Sequence, residues 1–321
     1  MIRYRPFLNT DPPELVRLWQ CQTPLRGRLP EISLSLLEHS LLSKPYFEAE
    51  GLWVAEEESE GGSRLIGFVH AGFGPNHDHS DLDWETGVVS MLQLDPDRSE
   101  PEVADTLMER ALDYLRQRGA KEAQGGSWFP FCPFYLGLYG GSEIPGVLQH
   151  DLVFRDALVR SQFETVDRVC VMQRQLAGFR PASGRGQLQI RRQYQINAVA
   201  DPLEQNWWEC CTLGMAARER FSIFHKQEQT VCGSVSFWDM QPLAGTVGLQ
   251  ARGMNGLNVP RECRRSGIAT FLVGESLKFL LQQGIEVVEA QIQESETAAL
   301  GVFHKLGFEM IDQGLILSRS L

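Results

Sequence analysis

Val259-Pro260-Arg261-Glu262-Cys263-Arg264-Arg265-Ser266-Gly267-Ile268-Ala269-Thr270-Phe271-Leu272 reads as a turn that follows a strand and opens a helix. Such a turn leaves several backbone N–H groups unpaired at the positive end of a helix dipole, where a phosphate or pyrophosphate is stabilised. Gly267 permits close approach of an anion, because any side chain there would occupy its place. Ala269 extends that clearance, and Arg264 and Arg265 add charge. Three arginines within five residues mark a local anion site, the alternative being a surface turn with solvated arginines.

Working outward, Arg264-x-x-Gly267-x-Ala269 resembles the acyl-CoA pyrophosphate loop of the GNAT superfamily of N-acetyltransferases. A second segment, Glu296-Thr297-Ala298-Ala299-Leu300-Gly301-Val302-Phe303-His304-Lys305-Leu306-Gly307-Phe308, resembles the later helix of that family and its closing Lys-x-Gly-Phe. The resemblance covers residues 188 to 321 well. It implies that Leu257, Asn258, Val259, Arg264, Arg265, Ser266, Gly267, Ile268, Ala269, Thr270, Glu296 and Phe303 line a site for acetyl-CoA as acyl donor, and that no metal is used.

The chain also repeats itself. Ile2-Arg3 opens an apparent strand that leads to Asp11-Pro12 and then Trp19 and Cys21; Ile190-Arg191 opens another that leads to Asp201-Pro202 and then Trp208 and Cys210. An apolar hairpin pattern follows in each copy, at 52 to 70 and at 221 to 238. Each copy continues as strand, turn and helix. Val103, Leu107, Ala111, Tyr114 and Leu115 fall on one helical face before Gly119, and Ile268, Phe271, Leu272, Leu277, Leu280 and Leu281 on another before Gly284. Glu122-Ala123-Gln124 and Glu289-Ala290-Gln291 then fall in the next predicted strand. A Gly-, Pro- and Ser-rich stretch, Ala177 to Gly186, reads as a linker. The expected architecture is α/β (α+β): two GNAT-like domains, each a mixed, mostly antiparallel twisted sheet flanked by helices. Residues 1–181 form an altered N-terminal copy and 182–321 a competent C-terminal one, a plan similar to that of tandem GNAT proteins such as mycothiol synthase.

In the first copy the corresponding loop reads Arg98-Ser99-Glu100-Pro101-Glu102-Val103. Its glutamates repel phosphates and Pro101 removes a donor. The aromatic run Trp128 to Tyr139 stands as the expected counterpart of the later helix, without a closing Lys-x-Gly-Phe, and reads as core, domain interface or acceptor pocket.

The 321 residues suit two domains. With 43% apolar and 22% charged residues the chain is neither disordered nor collagen-like. A net charge of −11 disfavours nucleic acid and anionic membranes as partners. The excess sits in residues 1–180, with 17 basic and 27 acidic residues, against 13 and 14 in the remainder. Seven cysteines without CxxC spacing suggest reduced thiols, and no stretch of 18 apolar residues occurs. A cytoplasmic location is expected.

The resemblance implies transfer of an acetyl group to an amine of a small molecule or peptide, and the acidic first half would favour a cationic one. Backbone N–H groups around Leu257 to Val259 would polarise the thioester carbonyl. The position where many members carry a thiolate-protonating tyrosine is Phe303, which cannot donate. His304 points about 100° away around the helix. Asp239 and Glu294, each near a predicted strand end, are the candidate bases. The damaged first loop and Phe303 also admit a non-catalytic acyl-CoA-binding sensor or scaffold. His77-Asp78-His79 reads as a solvated loop, Trp207-Trp208 and Cys210-Cys211 as core, and Glu56 to Glu60 as an exposed hairpin tip.

Overall fold

The computed structural model describes residues 1–59, 62–126, 128, 134–181, 184–204, 206–213, 217–240 and 249–321. Glu60, Gly61, residues 129–133 of the aromatic run and residues 182–183 of the connecting stretch lie outside the described residues. The first half runs β1 (Ile2–Pro6), α1 (Pro12–Gln20), α2 (Leu34–Leu37), β2 (Leu52–Ser59), β3 (Gly62–Pro75), β4 (Leu82–Leu94), α3 (Pro101–Gln117), β5 (Glu122–Gly125), β6 (Val147–Leu148), α4 (Leu152–Arg160) and β7 (Glu164–Gln175). The second runs α5 (Arg185–Gln193), β8 (Tyr194–Ala200), α6 (Trp207–Leu213), β9 (Arg218–His225), β10 (Val231–Asp239), β11 (Ala251–Asn258), α7 (Ile268–Gln282), β12 (Val287–Gln293), α8 (Thr297–Lys305) and β13 (Glu309–Ser320). Ile190-Arg191 therefore does not open a strand. Arg185–Gln193 is helical and buries Ile190, and the strand starts at Tyr194.

Both halves join in one sheet of order β1-β2-β3-β4-β5-β13-β7-β12-β11-β10-β9-β8, with β6 on β13. The centre is an exchange. β7 pairs antiparallel with β12 of the second half, from Val287 opposite Gln175 to Gln293 opposite Val169. β13 pairs antiparallel with β5 of the first half, Leu317 opposite Gly125 to Ser320 opposite Glu122. The two exchanged strands also pair with each other. Neither half completes its sheet from its own residues.

Helices α3 and α4 pack on one face of the first half through Val103, Leu107, Ala111, Leu115, Phe154 and Leu158. The corresponding face of the second half is covered by α7 and α8 through Phe271, Leu272, Leu277, Leu280 and Phe303. The other face of the first half buries α1 and α2 with Phe134, Tyr135, Leu138 and Tyr139, so the described part of the aromatic run is core. Trp208 joins that same cluster, its ring 4.7 Å from Tyr46, while Trp207 stays partly exposed. Helix α6 of the second copy thus packs on the first copy.

The repeat aligns differently from the sequence expectation. The counterpart of α8 is α4, and the segment from Gly126 to Asp151 that carries the aromatic run is an insertion between β5 and α4. The closing turn of the helix is present in both copies. Phe308 N–H donates to Phe303 O at 3.0 Å, and Phe163 N–H donates to Leu158 O at 3.0 Å. Gly307 has φ 75° and Gln162 has φ 63° at the same place. Glutamine in a left-handed conformation hides the motif in the first copy.

Inside the first-half core His70 is fully buried, its Nδ1 3.2 Å from the Tyr135 hydroxyl. Burial pushes its pKa down to about 3. The unfolded chain takes up this proton near 6.5 and the fold does not, so stability falls as pH drops from about 6.5 toward 3, by up to about 1.4 kcal/mol per unit. His70→Phe should remove this share of the slope in urea unfolding at pH 7 and pH 5. Equal losses in both proteins would overturn the assignment.

Candidate acyl-transfer site

β11 and β12 run parallel and pair from Ala251 opposite Val287 to Met254 opposite Ala290, where pairing stops. Beyond that point the strands splay. β11 continues against β10 with a bulge, since Ser236 faces Asn255 but Ser234 faces Asn258. Gly256 sits in the bulge with φ 61° and open space where a Cβ would stand. A bulge re-aims a strand and leaves residues out of the ladder, and here it falls beside Leu257, in the wedge between the strands.

From the wedge the chain turns through a single 3-10 turn, Arg261–Cys263, into α7. Arg265 and Gly267 both take left-handed conformations, φ 60° and 85°, and Gly267 is the residue that caps the helix. A Cβ on Gly267 would approach only Ile190, at 3.3 Å. Arg261, Glu262, Arg264, Arg265, Ser266 and Gly267 are exposed, and Ile268 is buried beneath them. Arg264 is steadied by its Nε donating to Val259 O at 2.8 Å, which leaves its remaining N–H groups facing outward. Among the described residues none of the three loop arginines is in an ion pair. The first-turn N–H groups of α7 have no carbonyl partner within the helix. An exposed helix N-terminus, an open glycine and unpaired arginines make a cradle that fits a pyrophosphate.

The first half has the same elements without the cradle. β4 and β5 pair in parallel from Thr86 to Val89. Its loop arginine, Arg98, is tied to Glu57 and to Glu100 at 3.0 Å, and α3 begins at Pro101.

The remaining predicted residues scatter. Glu296 caps α8 beside the wedge, with no side-chain bond to the helix. Phe303 is 2% exposed and packs edge-on against Phe308, in the core under the sheet. Glu294 follows the end of β12 and pairs loosely with Arg168 at 3.5 Å. Asp239 pairs with Arg252 at 2.8 Å. It stands opposite the start of β11, five residues and about 17 Å along the strand from Leu257. Leu257, the loop and Glu294 share one end of the sheet; Asp239 does not. Burial pushes the Cys263 thiol up to about 11, so this thiol beside the loop stays protonated. His77 and His79 lie in an exposed turn, and the described residues hold no group of three His, Cys, Asp or Glu side chains suited to a metal ion.

What sequence reasoning missed lies on the face of the second half opposite α7 and α8. There the insertion of the first half lies over β10, β11 and β12. Trp238 Nε1 donates to Ser142 O at 2.8 Å, and Ser142 N–H donates to the Glu289 carboxylate at 2.7 Å. Gln173 Nε2 reaches the other Glu289 oxygen at 2.7 Å. Gln291 Nε2 donates to Gly140 O at 2.7 Å and to Glu143 O. The approach is close enough that a Cβ on Gly141 would overlap the Glu289 carboxylate. Burial raises the pKa of Glu289, and the bonds from Gln173 and Ser142 oppose the shift. Beside this contact lies a cavity of about 340 Å³ lined from both halves, by Arg26, Arg28, Gly140, Gln173, Glu289 and Asp312 among others.

Residues 187–308 match the model of the Acetyltransferase (GNAT) family. The second half thus matches the GNAT family, and the chain as a whole has the fold of tandem GNAT proteins. The tandem GNAT protein from the clavulanic acid biosynthesis pathway superposes with a TM-score of 0.65 at 14% identity, over 100% of this chain and 98% of that one. A GCN5-related N-acetyltransferase from Sphaerobacter thermophilus gives 0.64 at 13% identity, over 99% and 95%. A GCN5-related glucosamine N-acetyltransferase region of a fungal multi-domain GH3 β-N-acetylglucosaminidase gives 0.71 at 14% identity, over 99% of this chain and 38% of that one. No curated protein sequence matches the chain. These likenesses establish the GNAT fold, a mixed and mostly antiparallel sheet flanked by helices. No helix among the described residues is long and apolar enough to cross a membrane.

Proposed function

We propose that the protein is an acetyl-CoA-dependent N-acetyltransferase whose cofactor sits on the second GNAT half. The observation that carries this reading is the left-handed, exposed Gly267 at the N-terminus of α7, opening from the wedge where β11 and β12 part. Arg264, Arg265 and the N–H groups of Gly267 to Thr270 would hold the pyrophosphate. Bound acetyl-CoA supplies the activated acyl group. The chain's part is to orient it, with backbone N–H groups from Leu257 to Val259 aimed at the carbonyl oxygen where charge develops. The first half, with Arg98 held by carboxylates, serves the acceptor side. Its insertion, which carries Glu143 beside Gln291, would meet the acceptor amine of a small molecule or peptide, and the net negative charge of residues 1–180 favours a cationic one.

Calorimetric titration with acetyl-CoA should give one site per chain, and thiol release should appear with a member of a panel of polyamines, amino sugars and basic peptides. Absence of binding would sink the reading. One observation favours a second reading, a binding-only sensor or scaffold: Phe303 is buried and has no hydroxyl to protonate a leaving thiolate. One-site binding without thiol release across the panel would support it. Catalysis is preferred because a thiolate leaves without help more readily than an alkoxide, its conjugate acid being far stronger.

A further inference from the structure

We propose that the active site is composite, and that Glu143, on the insertion of the first half, is the general base for acetyl transfer on the second half. The inference rests on the cofactor placement above and adds the residue that receives the acceptor's proton.

The insertion fixes the Glu143 backbone at the wedge. Gln291 is the first residue of β12 beyond the last pair with β11, and its side-chain amide binds both Gly140 O and Glu143 O. Ser142, next to Glu143, is clamped on both sides, its N–H by Glu289 and its carbonyl by Trp238. Gly253 on β11 leaves room for this clamp, since a Cβ there would strike the Trp238 indole and crowd Ser142. The loop is therefore pinned to β10 and β12 at once.

The Glu143 carboxylate has no hydrogen-bond or ion-pair partner among the described residues. It is neither fully buried nor fully exposed. Close by, the Gln291 Oε1 is buried and has no partner among the described residues, an acceptor suited to an amine N–H. Desolvation pushes the Glu143 pKa up to about 8, and the charge of Glu296 on the N-terminal turn of α8 adds to the shift. The bond from Gln291 places the Glu143 backbone beside the end of β12 that leads to α8. The other charged groups around the clamp are Glu289 on β12 and Arg26, which acts on Glu289 from the cavity rim. A carboxylate poised near neutrality is a more effective proton acceptor than an ordinary glutamate.

The step balances without a further reactant. The amine nitrogen bonds to the acyl carbon, and the carbon–sulfur bond breaks with its electron pair going to sulfur. Glu143 takes the proton that the nitrogen loses and releases it to the departing thiolate or to water. The products are the amide and the free thiol.

Two variants of the full chain test this. In Glu143→Cys, incubated with CoA disulfide, peptide mapping should find CoA attached at position 143 faster than at exposed Cys21 or Cys210. Arg264→Ala combined with Gly267→Glu should abolish that preference. In Glu143→Gln, assayed with whichever panel amine releases thiol, kcat/KM should fall about 100- to 1000-fold. The rise of kcat/KM with pH through about 8 should vanish with it, while acetyl-CoA affinity is unchanged. Normal CoA binding with no preference at position 143, or with an unaltered pH profile in Glu143→Gln, overturns the inference and leaves the cofactor placement standing. Loss of all CoA binding by the unmodified chain overturns both. If the panel yields no acceptor, the cysteine experiment decides alone.

Discussion

Gly267→Glu should weaken acetyl-CoA binding by about 100-fold or more without unfolding the protein. Three effects combine. The residue holds φ 85°, which a side chain adopts only with strain. The new side chain points into the space the pyrophosphate needs, because nothing of the protein but Ile190 is near it. Its charge then opposes the phosphates at the very end of α7. Loss of one charge-assisted hydrogen bond is worth about 1.5–3 kcal/mol, and each 1.4 kcal/mol is tenfold in affinity. Gly267→Ala separates strain from charge and should fall between the two, and Arg264→Ala should cost about tenfold. Calorimetry reads the affinity and a thermal melt reports the fold. An unchanged affinity in Gly267→Glu would remove the cradle from the binding site.

The second large effect concerns the exchanged strands. Residues 184–321 expressed alone should not fold, because β12 loses β7 and β13 loses both β7 and β5. Unpaired strand edges of that length favour aggregation. Residues 1–183 and 184–321 produced together should instead associate, since every pairing of the sheet is restored, and the pair should melt in one transition. Gel filtration and calorimetry measure this. A folded, acetyl-CoA-binding monomer from residues 184–321 alone would show that the exchange does not hold the protein together.

The cofactor loop was legible in the sequence because its chemistry is local: a glycine, a small residue and arginines at the start of an apolar helical pattern. Helices α3, α7 and α8 and the two hairpins were legible for the same reason. The exchange was not, since β7 and β13 are alike in length and in apolar content at their centres, and either could pair with β5 or β12. Sequence spacing alone does not choose between them. The insertion misled for a different reason. Its aromatic residues, with Gln162 standing where the second copy has Gly307, concealed that α4 and its closing turn were the true counterpart of α8. Glu143 carries no local signal at all, and its place beside Gln291 comes from tertiary contact across the two copies. Asp239 and Glu294 were reasonable from strand ends, but only the latter stands at the end of the sheet where the loop lies.

The position of β13 has a consequence for biosynthesis. As the chain leaves the ribosome, β5 emerges with one edge open, and β7 emerges with no neighbour on either side. The strand that fills the gap between them is made only after every other strand of this sheet. The first half therefore cannot close its sheet while the second is being translated, and domain-by-domain folding from the N-terminus is blocked. Premature termination anywhere before Glu309 leaves an unfinished first half as well as an unfinished second one, so a truncated product yields no usable fragment.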